Sequence, residues 1–287
     1  MTAFGKRLLL VHAHPDDETL TTGGTIARYV AEGAEVTVLT CTLGEEGEVI
    51  GERWSQLVAD EANQLGGYRI AELTAALAAL GVGAPRFLGG AGRFRDSGMA
   101  GTPSARHPRA FVAADRDRVI DAVADVIGEL RPHVVVTYAA DGGYGHPDHV
   151  RAHEVTRAAV DVAAERGWDV PKMYWTVAEA SAVEDGVCRI GRIPEHWRLP
   201  EPGELPSLAD HLVTAQVDVR DHLVAKRAAF AAHATQIELS DVGPEFALSN
   251  RIAQPVLTTE YFVLGRGAAG PVDAAGRETD LFGGLDM

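Results

Sequence analysis

The chain has 287 residues, 46% of them hydrophobic, enough for one large core or a core with an appended lobe. A formal net charge of -15 repels phosphate backbones and argues against nucleic acid as a partner. Two cysteines give no disulfide framework, no run approaches the ~20 apolar residues of a membrane span, and no apolar signal region precedes the first charges, so a cytoplasmic protein is expected.

Arg7 to Val11 is a short apolar run that reads as a buried first strand. The spacing predicts a helix over Leu20–Glu32, closed by Gly33, and a β-branched second strand over Glu35–Cys41. An acidic, glycine-bearing turn, Leu43 to Glu48, leaves the carboxyl end of that strand. Arg53–Leu65 reads as a helix ended by Gly66-Gly67, and Glu72–Leu80 as another helix. Arg86–Leu88 is a short third strand, followed by a long loop over Gly89–Pro108. Loops of that length in compact domains usually serve function. Asp115–Leu130 carries a helical apolar stripe of Val119, Val123, Val126, Ile127 and Leu130. Val134–Tyr138 is the fourth strand, Pro147–Gly167 a long helix with proline in its first turn, and Lys172–Val177 a fifth strand.

Strands alternating with helices predict a Rossmann-like, doubly wound α/β fold: a mostly parallel sheet with helices on both faces. After Ala178 the pattern weakens, and four prolines between 194 and 206 mark a surface excursion. A helix over Arg220–His233 and a closing strand over Tyr261–Leu264 follow. No linker divides the chain. We therefore expect one domain, with an α/β core over 1–177, a C-terminal part over 178–264 packed on it, and a partly flexible, glycine-rich tail over 265–287.

Two clusters carry the chemistry. His12-Ala13-His14-Pro15-Asp16-Asp17-Glu18 follows the first strand, and Tyr144-Gly145-His146-Pro147-Asp148-His149 follows the fourth. Open α/β sheets bind ligands at strand carboxyl ends, where strand order reverses, and there the first strand can lie beside the fourth. A catalytic zinc site needs about three protein ligands and an open position. His14, His149 and one aspartate of the Asp16-Asp17 pair provide such a set, leaving the other aspartate as general base. His146 and Tyr144 are candidates to stabilise an oxyanion or protonate a leaving group, and Asp148 to orient His146. Alone, either cluster reads equally well as hydrogen-bonded histidines and an N-cap pair. Together, at equivalent strand ends, they favour a metal-assisted amide hydrolase. His153 shares the i, i+4 spacing of a metal pair with His149, but that spacing is also a core face, and we assign it to the core or to support. His12 is assigned to support.

His14-Pro15-Asp16-Asp17-Glu18 and His146-Pro147-Asp148-His149 resemble the two motifs of the PIG-L/LmbE-like zinc deacetylases. Thr40 to Gly51, Gly66 to Arg69, Gly89 to Arg93 and Arg95 to Met99 resemble one subgroup, the N-acetylglucosaminyl-inositol deacetylases of actinobacterial mycothiol biosynthesis. The resemblance implies removal of acetate from a 2-acetamido sugar linked to inositol, with the sister mycothiol S-conjugate amidase activity as the alternative. It implies one metal per subunit, Zn²⁺ or Fe²⁺, held by His14, Asp17 and His149, with Asp16 as general base. Tyr144 and His146 would stabilise the tetrahedral intermediate, and Arg69, Asp96 and Glu48 would bind the amino-sugar inositol substrate. Read from the residues alone, Arg69 is a surface arginine and Asp96 a loop aspartate. Two further readings compete: an iron oxygenase sharing the two-histidine, one-carboxylate set, and a non-catalytic sugar- or metal-binding module. The spare aspartate and the surplus of acid-base groups weigh against both. Nothing in the sequence fixes an oligomeric state.

Overall fold

The computed structural model describes residues 5–286. Residues 1–4, part of the stretch used for the signal-peptide reading, and Met287 lie outside the described residues. Five strands run parallel: β1 (Arg7–His12), β2 (Glu35–Thr40), β3 (Arg86–Phe87), β4 (Val134–Tyr138) and β5 (Lys172–Val177). Further along the chain come β6 (Ala215–Asp218), the short pair β7 (Glu238–Leu239) and β8 (Phe246–Ala247), and β9 (Thr259–Arg266). Both β5 and β6 pair antiparallel with β9, so the sheet order is β3-β2-β1-β4-β5-β9-β6. The expected mostly parallel, doubly wound sheet is what forms. Strand order reverses between β1 and β4, which pair directly through Leu8 and Val134.

Both sheet faces are buried, which is why the central strands are apolar without alternation. Leu8 and Leu10 point to one face, packed under α1 (Asp17–Ala31), α2 (Leu65–Ala79) and, from the C-terminal part, Ala229 and Phe262. Leu9 and Val11 point to the other, under α3 (Arg116–Leu130) and α4 (Pro147–Glu165). Asp115 caps α3, its carboxylate accepting from the Arg118 N–H. The excursion holds α5 (Ala180–Cys188), none of whose residues is buried. Among the last elements, α6 (Leu223–Ala232) packs against α1 and α2.

Three expectations need correction. The segment expected as a helix over Arg53–Leu65 is a short 3₁₀ helix, Glu52–Leu57, followed by turns. The Gly66-Gly67 pair does not end a helix but opens α2, which runs on through Glu72. A Cβ at Gly66 would lie 2.6 Å from the Glu45 side chain, so the glycine serves close approach to the loop after β2. The tail from Gly265 is packed rather than loose over its described length. Leu281 and Phe282 are buried beside Tyr29, whose hydroxyl accepts from the Leu281 N–H at 2.7 Å, and Glu278 pairs with buried Lys172. Two large apolar side chains and a buried ion pair outweigh the glycine-rich composition.

Candidate active site

The clusters after β1 and β4 meet at the switch point. The β4–α4 loop closes tightly because Gly142 adopts φ +69, and a Cβ there would lie 2.7 Å from that of His149. His149 sits in the first turn of α4, and its Nδ1 contacts the Gly142 carbonyl oxygen at 3.1 Å. That carbonyl can only accept, so Nδ1 carries the proton and Nε2 presents a lone pair. On the facing side, His14 Nε2 lies 3.4 Å from both Asp96 and Asp148 carboxylates, which leaves Nδ1 as its free nitrogen.

Those two free nitrogens and one carboxylate oxygen form a triangle. His14 Nδ1 to His149 Nε2 is 3.2 Å, and Asp17 Oδ2 lies 3.4 Å from each. A tetrahedral ion with bonds of about 2.0–2.1 Å spaces its ligands about 3.3–3.4 Å apart. The donor set, its tautomers and its edges fit a divalent metal. A second grouping, His14, His146 and His149, also holds its donor atoms within 4.8 Å of one another. His146 Nδ1 is occupied by the Asp148 N–H at 3.1 Å, so only its Nε2 is free.

The charges follow from burial and neighbours. Burial opposes ionisation of Asp17, but His149 and His14 outweigh it and hold the carboxyl well below the usual range. Burial likewise opposes charge on His14, yet Asp96, Asp148 and Asp17 hold its pKa well above the ordinary value. Asp16 lies beside the triangle, and burial pushes its carboxyl up to about 6 against the pull of Arg69. Burial, then His14 and His149, push His146 down to about 3. Tyr144 is 55% exposed at the rim.

The structure brings the site residues together, in some cases facing other partners than expected. Asp148 turns its carboxylate to His14 and the Ser97 N–H, not to His146, because its side chain points back from the first turn of α4; only its backbone N–H touches His146. Arg69 is 3% exposed rather than on the surface. It donates to the Gly44 and Pro15 carbonyls and pairs with Asp16 at 3.1 Å. Asp96 is buried against His14 and accepts from the Gly98 and Glu46 N–H groups. Glu48 is exposed. All three line one cavity of about 1390 Å³, with Asp16, Tyr144 and His146. Residues of the segments 204–208 and 248–257 line it too. His153 is not in the site: its Nδ1 meets the Tyr138 carbonyl oxygen at 2.8 Å. His12 points at the Thr22 hydroxyl, 3.1 Å away.

Sequence reasoning missed Tyr138. Its hydroxyl donates to Asp17 Oδ2 at 2.7 Å and accepts from the Ala13 N–H, while its ring stacks on His149 at 4.2 Å. The available signal was a hydroxyl-bearing aromatic as the last residue of a wholly buried strand.

A profile described as PIG-L, GlcNAc-PI de-N-acetylase, matches residues 9–160. The chain belongs to the PIG-L family. It is 68% identical over 287 residues to a 1D-myo-inositol 2-acetamido-2-deoxy-alpha-D-glucopyranoside deacetylase of Rhodococcus jostii, covering 98% of both chains. It is 60% identical over 283 residues to the Mycolicibacterium smegmatis protein of the same name, covering 98% of this chain and 97% of that one. Among solved structures it resembles the zinc-inhibited form of teicoplanin deacetylase Orf2, with TM-score 0.52, 22% identity, and coverage of 92% and 100%. It also resembles GalB, a 4-carboxy-2-hydroxymuconate hydratase of Pseudomonas putida, with TM-score 0.58, 19% identity, and coverage of 94% and 100%. A deacetylase and a hydratase thus share the PIG-L-like fold, so activity must be argued from the site.

Proposed function

We propose that this PIG-L protein hydrolyses the acetamide of 1D-myo-inositol 2-acetamido-2-deoxy-alpha-D-glucopyranoside, releasing acetate and the free amine. The observation that carries the reading is the donor triangle with a second carboxylate outside it, Asp16, lining the same cavity. The full-length similarity to deacetylases of that name supports the substrate. We assign the metal role to His14, Asp17 and His149 and favour Zn²⁺, whose tetrahedral geometry suits the 3.2–3.4 Å edges. Unpaired Cys41 and Cys188 suit a reducing compartment, and we assign the reaction to the cytoplasm.

The cation, when bound, supplies Lewis-acid polarisation of water and of the amide carbonyl. Asp16 takes a proton from the attacking water, a task suited to a carboxyl lifted to about 6. The water oxygen then bonds to the carbonyl carbon, and the carbonyl oxygen becomes an oxyanion. His146 donates from Nε2, because its Nδ1 already accepts from the Asp148 N–H. Tyr144 donates its hydroxyl proton from the rim. Asp16 returns its proton to the amine nitrogen as the C–N bond breaks. Asp96, Glu48 and Arg69 line the space left for the sugar and inositol hydroxyls.

Acetate release from this substrate, compared with release from a mycothiol S-conjugate, tests the assignment; preferential turnover of the conjugate overturns it. Chelation is expected to abolish release while far-UV circular dichroism stays unchanged, because two large apolar clusters dominate folding. Added Zn²⁺ or Fe²⁺ should restore turnover. Global unfolding by the chelator contradicts the expectation. Tyr138→Phe keeps the ring on His149 but removes the hydrogen bond to Asp17. Its metal affinity, measured against a chromophoric chelator, should fall by about 10–100-fold.

A further inference from the structure

We infer that Glu18 and His233 are positioning residues that force the Asp16 carboxylate into the cavity instead of onto its own helix. The inference rests on the reading of Asp16 as general base. Asp16 immediately precedes α1, the place where an aspartate normally caps. Asp115 does so for α3, with φ -53, ψ 121 and its carboxylate on the Arg118 N–H. Asp16 has φ 118 and ψ -31, a region side-chain-bearing residues rarely enter, and it makes no cap bond. Its carboxylate is therefore withheld from the helix and left in the site.

Something must hold that conformation against relaxation to an ordinary cap. The Asp16 N–H donates to Glu18 Oε2 at 2.9 Å. The other oxygen of Glu18 accepts from His233 Nε2 at 2.9 Å and from the Thr19 hydroxyl. Glu18 and His233 are both fully buried. His233 lies 215 positions away, at the C-terminal end of α6, where its carbonyl accepts from the Gln236 and Ile237 N–H groups. Its ring is thus fixed by an element independent of the β1–α1 turn. Arg69 grips the same turn through the Pro15 carbonyl and Asp16 Oδ2. A buried Glu–His pair is poor value for stability alone, since apolar residues of similar size often serve as well. Placed against Asp16, whose φ of 118 side-chain-bearing residues rarely adopt, it has a use. Release of Glu18 lets Asp16 rotate to the ordinary cap, where its carboxylate bonds α1 N–H groups and no longer faces water.

The test compares His233→Leu, His233→Gln and Glu18→Gln with the native enzyme and with Asp16→Asn. Each is assayed for kcat, KM, bound metal and exchange of the Asp16 amide by NMR. In His233→Leu, kcat should fall by roughly 10–100-fold, the cost of a misplaced catalytic group, with KM and metal content retained and the Asp16 amide exchanging faster. His233→Gln, which can still donate to Glu18, should recover part of kcat. Glu18→Gln keeps an acceptor for the Asp16 N–H and covers the case in which His233→Leu does not fold; its kcat loss should be smaller and accompanied by partial loss of amide protection. Native kcat in folded His233→Leu, or faster Asp16 exchange without loss of kcat, overturns the inference while Asp16→Asn remains inactive. Full activity in Asp16→Asn instead overturns the general-base reading beneath it.

Discussion

Asp16→Asn is expected to bind close to one metal ion per chain and to lose about 10²–10⁴-fold in kcat, the range of a positioned general base. Asp17→Asn is expected to lose metal first and activity as a consequence, with excess metal restoring part of it. The two residues are adjacent and chemically identical, so the difference must come from where each carboxylate points. Asp17 Oδ2 closes the triangle with His14 and His149 and is steadied by the Tyr138 hydroxyl and the His14 N–H. Asp16 is no part of that triangle; it lines the same cavity, pairs with Arg69 and is lifted by burial to about 6. An amide at position 17 can still offer an oxygen but not the charge a divalent ion needs. An amide at position 16 leaves the ion's donors untouched but cannot accept a proton. Elemental analysis beside kcat separates the cases. Metal depletion in Asp16→Asn rather than Asp17→Asn reverses the assignment, and full activity in both removes the hydrolytic mechanism.

What the sequence made legible was whatever local spacing controls. The strands before each His-Pro-Asp cluster, their shared fold position and the pairing of β1 with β4 all follow from apolar runs, prolines and the rule for switch points. The resemblance then separated Asp16 from Asp17, which spacing could not do. What stayed hidden depends on contacts between distant residues. Arg69 reads as a surface residue because nothing near it in sequence shows that Gly44 and Pro15 carbonyls surround it. Tyr138 is 121 positions from Asp17, and His233 is 215 from Glu18. The Asp148 carboxylate meets Ser97 and His14, 51 and 134 positions away, rather than its sequence neighbour His146. The Gly66-Gly67 pair misleads for the same reason. A glycine that permits close approach and a glycine that stops a helix look alike until the neighbour, here Glu45, is in place.

His146→Ala and Tyr144→Phe are each expected to lower kcat by about 10²–10³-fold, the usual cost of one oxyanion donor, with little change in metal content. Both side chains line the cavity, and neither belongs to the 3.2–3.4 Å triangle. On the proposed mechanism their bonds to the carbonyl oxygen would strengthen as it gains charge, so the loss should fall on kcat more than on KM. His146→Gln sharpens the result. Because the Asp148 N–H occupies Nδ1, the ring on the proposed mechanism would act as a neutral donor from Nε2 rather than as a cationic acid. Burial and the two neighbouring histidines also oppose a positive charge on it. A glutamine amide can donate in the same way but cannot transfer a proton at neutral pH. His146→Gln should therefore retain measurably more kcat than His146→Ala. If the two variants are equally inactive while both hold metal, His146 delivers the proton to the leaving amine, and Asp16 does not return it.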